Sequence, residues 1–221
     1  MADIAAFDFD GTLTEGGSVY GFLTALSGSH KVVRATAALS PRLAYAALAG
    51  GKAADETKQL LFEKVMCGTS VEHLNRTASS YGTDHVAKHL RPDVRARLGW
   101  HRERGDRVVI VSASPEAYVK VAGELLGVDA VIATRLEVMD NATVTGRYDG
   151  HNCRGEEKLR RLREWIDDSG VWPDQLWSYG NSRGDLRMLR ASDIGVNVGR
   201  LGRLGKLRSF PGLSETALPP A

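Results

Sequence analysis

The stretch Asp8-Phe9-Asp10-Gly11-Thr12 directly follows an apolar run, Ile4-Ala5-Ala6-Phe7. The run predicts a short buried strand that delivers two carboxylates, one residue apart, into a glycine-containing turn. Alternation along a strand would point Asp8 and Asp10 to opposite faces, but the turn can redirect the second carboxylate towards the first. Such a pair suits a carboxylate nucleophile and a carboxylate general acid/base, with a divalent cation that reduces their mutual repulsion.

Length and composition narrow the classes of protein to consider. The chain has 221 residues, enough for one large domain or for a core with a smaller inserted one. Its formal net charge of +2 gives no case for a nucleic-acid partner. Cys67 and Cys153 lie far apart in sequence, which favours free thiols in a reducing compartment, the cytoplasm. Acidic Asp3 and the short apolar run after it predict that the N-terminus is not a signal peptide.

Short apolar runs alternate with longer segments of helical periodicity, which is typical of a parallel α/β sheet. The strands are predicted over residues 4–9, 107–112, 130–134, 176–179 and 194–198. The helices between them are predicted over residues 93–104, 115–126, 155–168 and 185–190. Two further runs at 134–138 and 143–148 predict a β-hairpin that extends the sheet.

The periodicity changes between about residues 18 and 90, where strand-like runs disappear and helical spacing takes over. We therefore predict a core formed by residues 1–16 and 91–221, with an all-helical domain, residues 17–90, inserted into it. Within the insertion, residues 31–50 are rich in Ala, Leu and Val but are interrupted by Arg34, Pro41 and Arg42. Its longest uncharged run, residues 43–51, is too short to span a bilayer, so the stretch predicts a helical hairpin packed inside the insertion. Membrane contact through this domain is the less favoured alternative.

Polar residues follow the other predicted strands where each one ends. Ser112 and the Ala113 amide can donate hydrogen bonds to an anion, and Lys158 can hold a phosphate oxygen. Asn181 and Asp185 follow the strand at 176–179 and carry oxygens that suit Mg²⁺. Because ligand sites of open α/β sheets lie beyond the carboxyl ends of the strands, we expect these residues to meet Asp8 there.

Two of these positions have alternative interpretations. Ser114 is expected to cap the following helix, which leaves Ser112 for the anion. Asp185 could be a metal ligand, a supporting residue or a helix cap.

The chain resembles the haloacid dehalogenase (HAD) superfamily. The four motifs of that superfamily match, in order, the stretch that begins at Asp8, then Ser112, then Lys158, and the segment from Gly180 to Asp185. The likeness spans residues 4 to about 198. It is strongest to subfamily IB, the phosphoserine-phosphatase-like branch that includes phosphatidylglycerophosphatase C-like proteins. This resemblance implies a Rossmann-like core with an inserted all-helical C1-type cap domain.

The resemblance also implies roles for individual residues. Asp8 would attack phosphorus and form an aspartyl-phosphate, while Asp10 would act as general acid/base. Lys158 would assist catalysis and hold the phosphoryl group with Ser112 and Ala113. The ligands of Mg²⁺ would be Asp8, Asp10, Asn181 and Asp185. An acid at position 10 favours phosphomonoester cleavage over dehalogenation, because an alkoxide leaving group needs a proton and a halide does not.

Two departures from the family pattern affect the expected function. Asn181 stands where many relatives carry Asp, which predicts weaker cation binding. Gly17 stands where phosphoserine phosphatases carry the Glu that contacts the substrate's amino group, which argues against phosphoserine.

We therefore expect a Mg²⁺-dependent phosphomonoesterase for a small-metabolite phosphate. The alternatives are a lipid-phosphate phosphatase, of the phosphatidylglycerophosphate-like type, a phosphotransferase and a catalytically weakened phosphate binder. A run of basic residues near the C-terminus predicts a solvated helix face: Arg200, Arg203, Lys206 and Arg208.

Overall fold

The computed structural model describes residues 2–199 and 207–216. The strands are β1 (Ile4–Phe7), β2 (Thr69–Ser70), β3 (Arg107–Pro115), β4 (Ala130–Thr134), β5 (Leu136–Val138), β6 (Thr143–Tyr148), β7 (Leu176–Gly180) and β8 (Ile194–Asn197). The helices are α1 (Val19–Ser27), α2 (Ser29–Ala38), α3 (Ser40–Ala49), α4 (Gly51–Met66), α5 (Val71–His89), α6 (Pro92–Glu103), α7 (Glu116–Leu126), α8 (Glu156–Ser169) and α9 (Leu186–Ala191).

A five-stranded parallel sheet in the order β4-β3-β1-β7-β8 forms the centre of the molecule. Strand β1 lies in the middle, and all four of its residues are buried. Its side chains alternate between two apolar clusters, Ala5 and Phe7 in one and Ile4 and Ala6 in the other. Helices α6 and α7 contribute to the first cluster and α8 and α9 to the second, so both faces of the sheet are covered. The prediction of an α/β fold with a parallel sheet is confirmed.

The segment between β1 and α6 is helical, apart from one short strand that the sequence did not predict. Strand β2, Thr69–Ser70, pairs antiparallel with β6. Two residues are too few to give a period-two pattern, so an all-helical insertion was the natural expectation.

The β-hairpin of β5 and β6 forms as predicted, but the prediction that it extends the main sheet is wrong. It forms a second sheet in the order β2-β6-β5. Strand β6 packs on α4, where the Tyr148 hydroxyl donates a hydrogen bond to the Asp55 carbonyl at 3.3 Å. Gly146 allows the close approach, because a Cβ there would lie 2.6 Å from the Phe62 carbonyl oxygen. The hairpin therefore joins the core to the helical insertion.

Residues 31–50 form the predicted helical hairpin, α2 and α3. Helix α2 packs inside as expected, through buried Val32 and Ala35, but α3 does not. Only Ala46 of α3 is buried, whereas Leu48 is 88% exposed and Tyr45 is 65% exposed. Among residues 2–199 and 207–216, no helix is both long and apolar enough to cross a membrane. Cys67 and Cys153 are free thiols, as predicted. Arg200, Arg203 and Lys206 lie outside the described residues.

We predict that Gly146→Ala lowers the free energy of unfolding by about 2–4 kcal/mol, because it adds a side chain at positive φ and forces it against the backbone of α4. Gly68→Ala is the matched control. Gly68 has φ +81, close to the +82 of Gly146, but a Cβ there would meet nothing within 4 Å. Urea unfolding of both variants measures the difference. Equal losses would contradict the close-packing explanation.

Candidate active site

One cavity of about 690 Å³ lies at the carboxyl ends of the central strands. Its lining includes every residue that the sequence singled out for chemistry: Asp8, Asp10, Ser112, Ala113, Lys158, Asn181 and Asp185. Strand β1 pairs in parallel with both β3 and β7, so the ends of all three strands open on the same edge of the sheet. Residues more than a hundred positions apart are brought together by this topology.

A buried lysine between two carboxylates forms the centre of the site. The Lys158 ammonium donates to Asp8 Oδ1 and to Asp185 Oδ1, each at 2.6 Å. Burial opposes a charged Lys158, but Asp185 and Asp8 outweigh burial and raise its pKa. Burial, followed by the charge of Asp185, raises the pKa of Asp8 to about 7 despite the lysine. Two buried carboxylates share one ammonium here, so a further cation beside Asp8 would favour its ionised form.

Asp185 also fixes the loop after β7. Its Oδ2 accepts hydrogen bonds from the Asn181 and Ser182 amides, at 3.2 and 2.9 Å, and from the Ser182 hydroxyl at 2.8 Å. It precedes α9 but makes no side-chain capping bond to that helix. Gly180 gives the carboxylate room, because a Cβ there would lie 2.5 Å from the Cβ of Asp185. Asp185 therefore occupies the N-cap position of α9, as one of its three interpretations predicted, but its carboxylate is bonded to the loop after β7 and to Lys158.

Asp10 is held by two donors, one on each oxygen. The Ser18 amide donates to Oδ1 at 2.7 Å, and the Ser114 hydroxyl donates to Oδ2 in a short hydrogen bond. The prediction that Ser114 caps the following helix is wrong, because Pro115 occupies the N-cap position and Ser114 still belongs to β3. Behind Asp10, the hydroxyls of Ser18 and Tyr118 are hydrogen-bonded at 2.6 Å. The carboxyl group of Asp10 therefore has a fixed orientation.

The glycine of the first motif lies against the fourth motif. Gly11 has φ +76, and a Cβ there would lie 1.8 Å from Asn181 Nδ2, so any other residue would displace that amide. No group of three His, Cys, Asp or Glu residues within the described part of the chain is arranged to hold a metal. The oxygen-bearing side chains that line the cavity with Asp8 are instead the carboxylates of Asp10 and Asp185 and the amide of Asn181. This donor set suits Mg²⁺, which commonly takes one or two protein carboxylates and completes its shell with water and substrate.

Sequence reasoning missed Lys58, which extends from α4 to the carboxyl end of β3. Its ammonium donates to the Ala113 carbonyl at 2.6 Å and to Asn152 Oδ1 at 3.3 Å. Burial lowers the pKa of Lys58 to about 8. One turn earlier on α4, Asp55 accepts from Asn152 Nδ2 at 2.7 Å and pairs with Arg154 at 3.5 Å. The only signal in the sequence is the three-residue spacing of Asp55 and Lys58, which does not reveal what α4 packs against.

Comparison with known proteins agrees with this geometry. A model of the haloacid dehalogenase-like hydrolase family matches residues 5–190. Protein CicA from Caulobacter vibrioides (strain NA1000 / CB15N) is 36% identical over 196 residues, which cover 86% of this chain and 83% of CicA. A histidinol-phosphatase from Neisseria meningitidis serogroup C (strain 8013) is 28% identical over 136 residues, which cover 58% of this chain and 60% of that protein.

Solved structures show the same fold at low sequence identity. A protein of unknown function from Bordetella pertussis Tohama I superposes with a TM-score of 0.80 at 20% identity, covering 96% of this chain and 98% of that one. A phosphoserine phosphatase with a phospho-aspartyl intermediate analogue superposes with a TM-score of 0.64 at 18% identity, covering 89% and 86%. The chain therefore belongs to the haloacid dehalogenase-like hydrolase family, with the fold of its phosphoserine-phosphatase-like members, as the four sequence motifs predicted.

Proposed function

We propose that this protein is a Mg²⁺-dependent phosphomonoesterase that acts through an aspartyl-phosphate on Asp8 and accepts a small-metabolite phosphate. The observation that carries the proposal is the single cavity in which Asp8 contacts Lys158 at 2.6 Å while Asp10 lines the same space. The match to a hydrolase family and a relative named histidinol-phosphatase support phosphate-ester chemistry.

Asp8 is the proposed nucleophile. One of its carboxylate oxygens would form a bond to phosphorus, and the alcohol oxygen would leave with the electron pair of the broken P–O bond. The Thr12 hydroxyl donates to Asp8 Oδ2 at 2.9 Å and orients the carboxylate. Lys158 would balance the charge of the phosphoryl group, and the Ser112 hydroxyl and Ala113 amide would donate to its oxygens.

Asp10 is the proposed general acid/base. It would give its proton to the departing alkoxide and then take a proton from the water that hydrolyses the acyl-phosphate. The Ser18 amide and the Ser114 hydroxyl would keep its carboxyl group aimed at the reacting oxygen in both steps.

The metal would be held by the Asp8 carboxylate, the backbone carbonyl of Asp10 and the side-chain oxygen of Asn181. Bound Mg²⁺ would supply positive charge that favours ionised Asp8 and offsets the charge of the phosphoryl oxygens. Asp185 already accepts four hydrogen bonds through its two oxygens, so we assign it an effect through charge and through the loop that carries Asn181.

The inserted domain, residues 17–90, is proposed as a cap that excludes water and selects the leaving group. Its two connections to the core are hydrogen-bonded to each other, from the Glu15 amide to the His89 carbonyl at 2.8 Å and from the Arg91 amide to the Leu13 carbonyl at 2.9 Å. This paired crossing supports the division into a core, residues 1–16 and 91–221, and an insertion.

A cytoplasmic location and the absence of a nucleic-acid partner stay predictions from composition.

The space available for the leaving group favours a small polar substrate other than phosphoserine. A second cavity of about 940 Å³ shares Arg154, Arg183 and Gly184 with the first and is lined mainly by polar residues. Gly17 lines the first cavity and has no side chain that could contact a substrate amine.

We predict that Asp8→Asn lowers phosphate release by at least about 10³-fold, because an amide cannot serve as the nucleophile. The assay is Mg²⁺-supplemented phosphate release from p-nitrophenyl phosphate and a panel of soluble and lipid phosphomonoesters, with EDTA as the metal-free arm. Asp84→Asn, which changes an exposed acid on α5, is the matched control.

Full activity of Asp8→Asn would show that Asp8 is not the nucleophile. Phosphate binding by wild-type protein without turnover would identify a binding protein. Phosphorylated products formed from added alcohols would identify a phosphotransferase.

We predict that Ser114→Ala slows the hydrolysis of alkyl phosphates more than the hydrolysis of p-nitrophenyl phosphate. Loss of a hydrogen bond to a charged group costs about 1.5–3 kcal/mol, so kcat for an alkyl phosphate should fall about 10- to 100-fold. A nitrophenolate leaves without a proton, so its kcat should fall far less. Exposed Ser79→Ala on α5 is the control. An equal fall for both leaving groups would show that Ser114 does not act through Asp10.

We predict that Asn181→Asp lowers the Mg²⁺ concentration needed for turnover but also lowers thermal stability when Mg²⁺ is absent. The added carboxylate should lower the half-saturating Mg²⁺ concentration for turnover by about tenfold, which corresponds to about 1.4 kcal/mol. Without Mg²⁺ it adds a negative charge to a site already rich in carboxylates, so Tm should fall by about 2–4 °C. Exposed Asn75→Asp on α5 is the control. An unchanged Mg²⁺ requirement would show that Asn181 does not face the metal.

A further inference from the structure

The helical hairpin of α2 and α3 exposes several apolar side chains to solvent. Of the eight large apolar side chains exposed among the described residues, three lie on this hairpin, Val33, Tyr45 and Leu48, and Tyr20 lies on the neighbouring α1. Val33 is 56% exposed, and Tyr45 and Leu48, three residues apart, lie on one face of α3 with exposed Arg42. Exposed apolar residues scattered singly are ordinary, but such residues grouped on one hairpin mark a binding surface.

The charge of the same segment has one sign. Residues 16–54 contain no Asp or Glu, whereas they contain Lys31, Arg34, Arg42 and Lys52. The chain as a whole carries 27 acidic residues, so this acid-free stretch departs from its average composition. A basic surface that also exposes Tyr and Leu side chains complements a negatively charged partner with an apolar interior.

A basic cavity of about 540 Å³ lies on the same hairpin. It is lined by His30, Lys31, Arg34, Ala35, Ala38 and, from α4, Lys64. Lys31, Arg34 and Ala38 recur at helical spacing and therefore share one face of α2. Cationic side chains around an alanine floor provide an environment for a phosphate head group whose chains continue into an apolar phase.

We propose that the exposed surface of the hairpin, defined as Lys31, Arg34, Arg42, Tyr45 and Leu48, docks on the surface of an anionic lipid bilayer. Tyr45 and Leu48 enter the interface while the basic side chains contact lipid phosphates. A second copy of this chain is the less suitable occupant, because two such surfaces would bring like charges together. The hairpin ends near the catalytic cavity, where Arg154 donates to the Gly51 carbonyl at 3.5 Å. Docking therefore brings the catalytic cavity close to the bilayer surface.

Vesicle co-sedimentation tests the proposal with the full chain. Wild-type protein is expected to bind vesicles of phosphatidylcholine with about one third phosphatidylglycerol at least about tenfold more tightly than phosphatidylcholine alone, and to lose this preference in high salt. The double variants Tyr45→Ser with Leu48→Ser, and Lys31→Glu with Arg34→Glu, should each weaken binding at least about tenfold.

Matched controls change equivalent residues elsewhere on the surface. Leu125→Ser with Trp172→Ser alters two exposed apolar side chains outside the hairpin, and Lys88→Glu with Arg95→Glu makes the same charge change on α5 and α6. Both should bind vesicles within about twofold of wild type. The Asp8→Asn variant should bind vesicles as tightly as wild type, which would show that vesicle binding does not depend on catalysis. All variants are compared by thermal unfolding.

Two results would overturn the proposal. One is the absence of any preference for anionic vesicles by wild-type protein. The other is a dimer in light scattering that disappears in the Tyr45 and Leu48 double variant, which would identify the exposed surface of the hairpin as a contact between copies.

Discussion

The contact of Lys158 with Asp8 and Asp185 is the interaction on which the rest of the site depends. It joins the turn after β1, helix α8 and the loop after β7, and its ammonium lies 2.6 Å from each carboxylate. Removing one member of such a buried group leaves uncompensated charge, which costs more than the intact group contributes. The sheet brings the three segments to one edge, and this charge arrangement fixes how closely they approach. Burial and the neighbouring charge of Asp185 both disfavour ionised Asp8, so a cation beside it would stabilise the carboxylate.

A second constraint connects Asp10 to the helical insertion. Asp10 takes one hydrogen bond from Ser114 in the core and one from Ser18, the residue before α1. The Tyr81 hydroxyl, on α5, donates to the Ser18 carbonyl at 2.6 Å, so the inserted helices hold Ser18 from the other side. The orientation of Asp10 therefore depends on the position of the insertion relative to the core. A domain that moves to admit substrate would release or restore the orientation of this carboxyl group.

The sequence allowed the main-sheet strands, the mostly helical segment between β1 and α6 and a set of cavity residues to be predicted because each depends on local signals: apolar runs, glycine turns and polar residues at strand ends. Features that depend on packing between distant segments could not be predicted. The contact of Ser114 with Asp10 and the contact of Lys58 with Ala113 each join residues more than fifty positions apart. The second sheet depends on Gly146 meeting α4, and nothing around residue 146 indicates that helix. The exposure of α3 was missed because its apolar composition is also that of a buried helix.

Helix α3 can be stable although most of its side chains are exposed. Its sequence, SPRLAYAALA, is dominated by residues with high helix propensity, and Pro41 lies in the first turn, where proline is tolerated. Only Ala46 is buried, so local propensity contributes much of the helix's stability and packing of its outer face contributes little. Tyr45 and Leu48 are therefore not needed to hold the fold together. Their exposure leaves an apolar surface that the folded chain does not use internally, on a segment whose charges all have one sign.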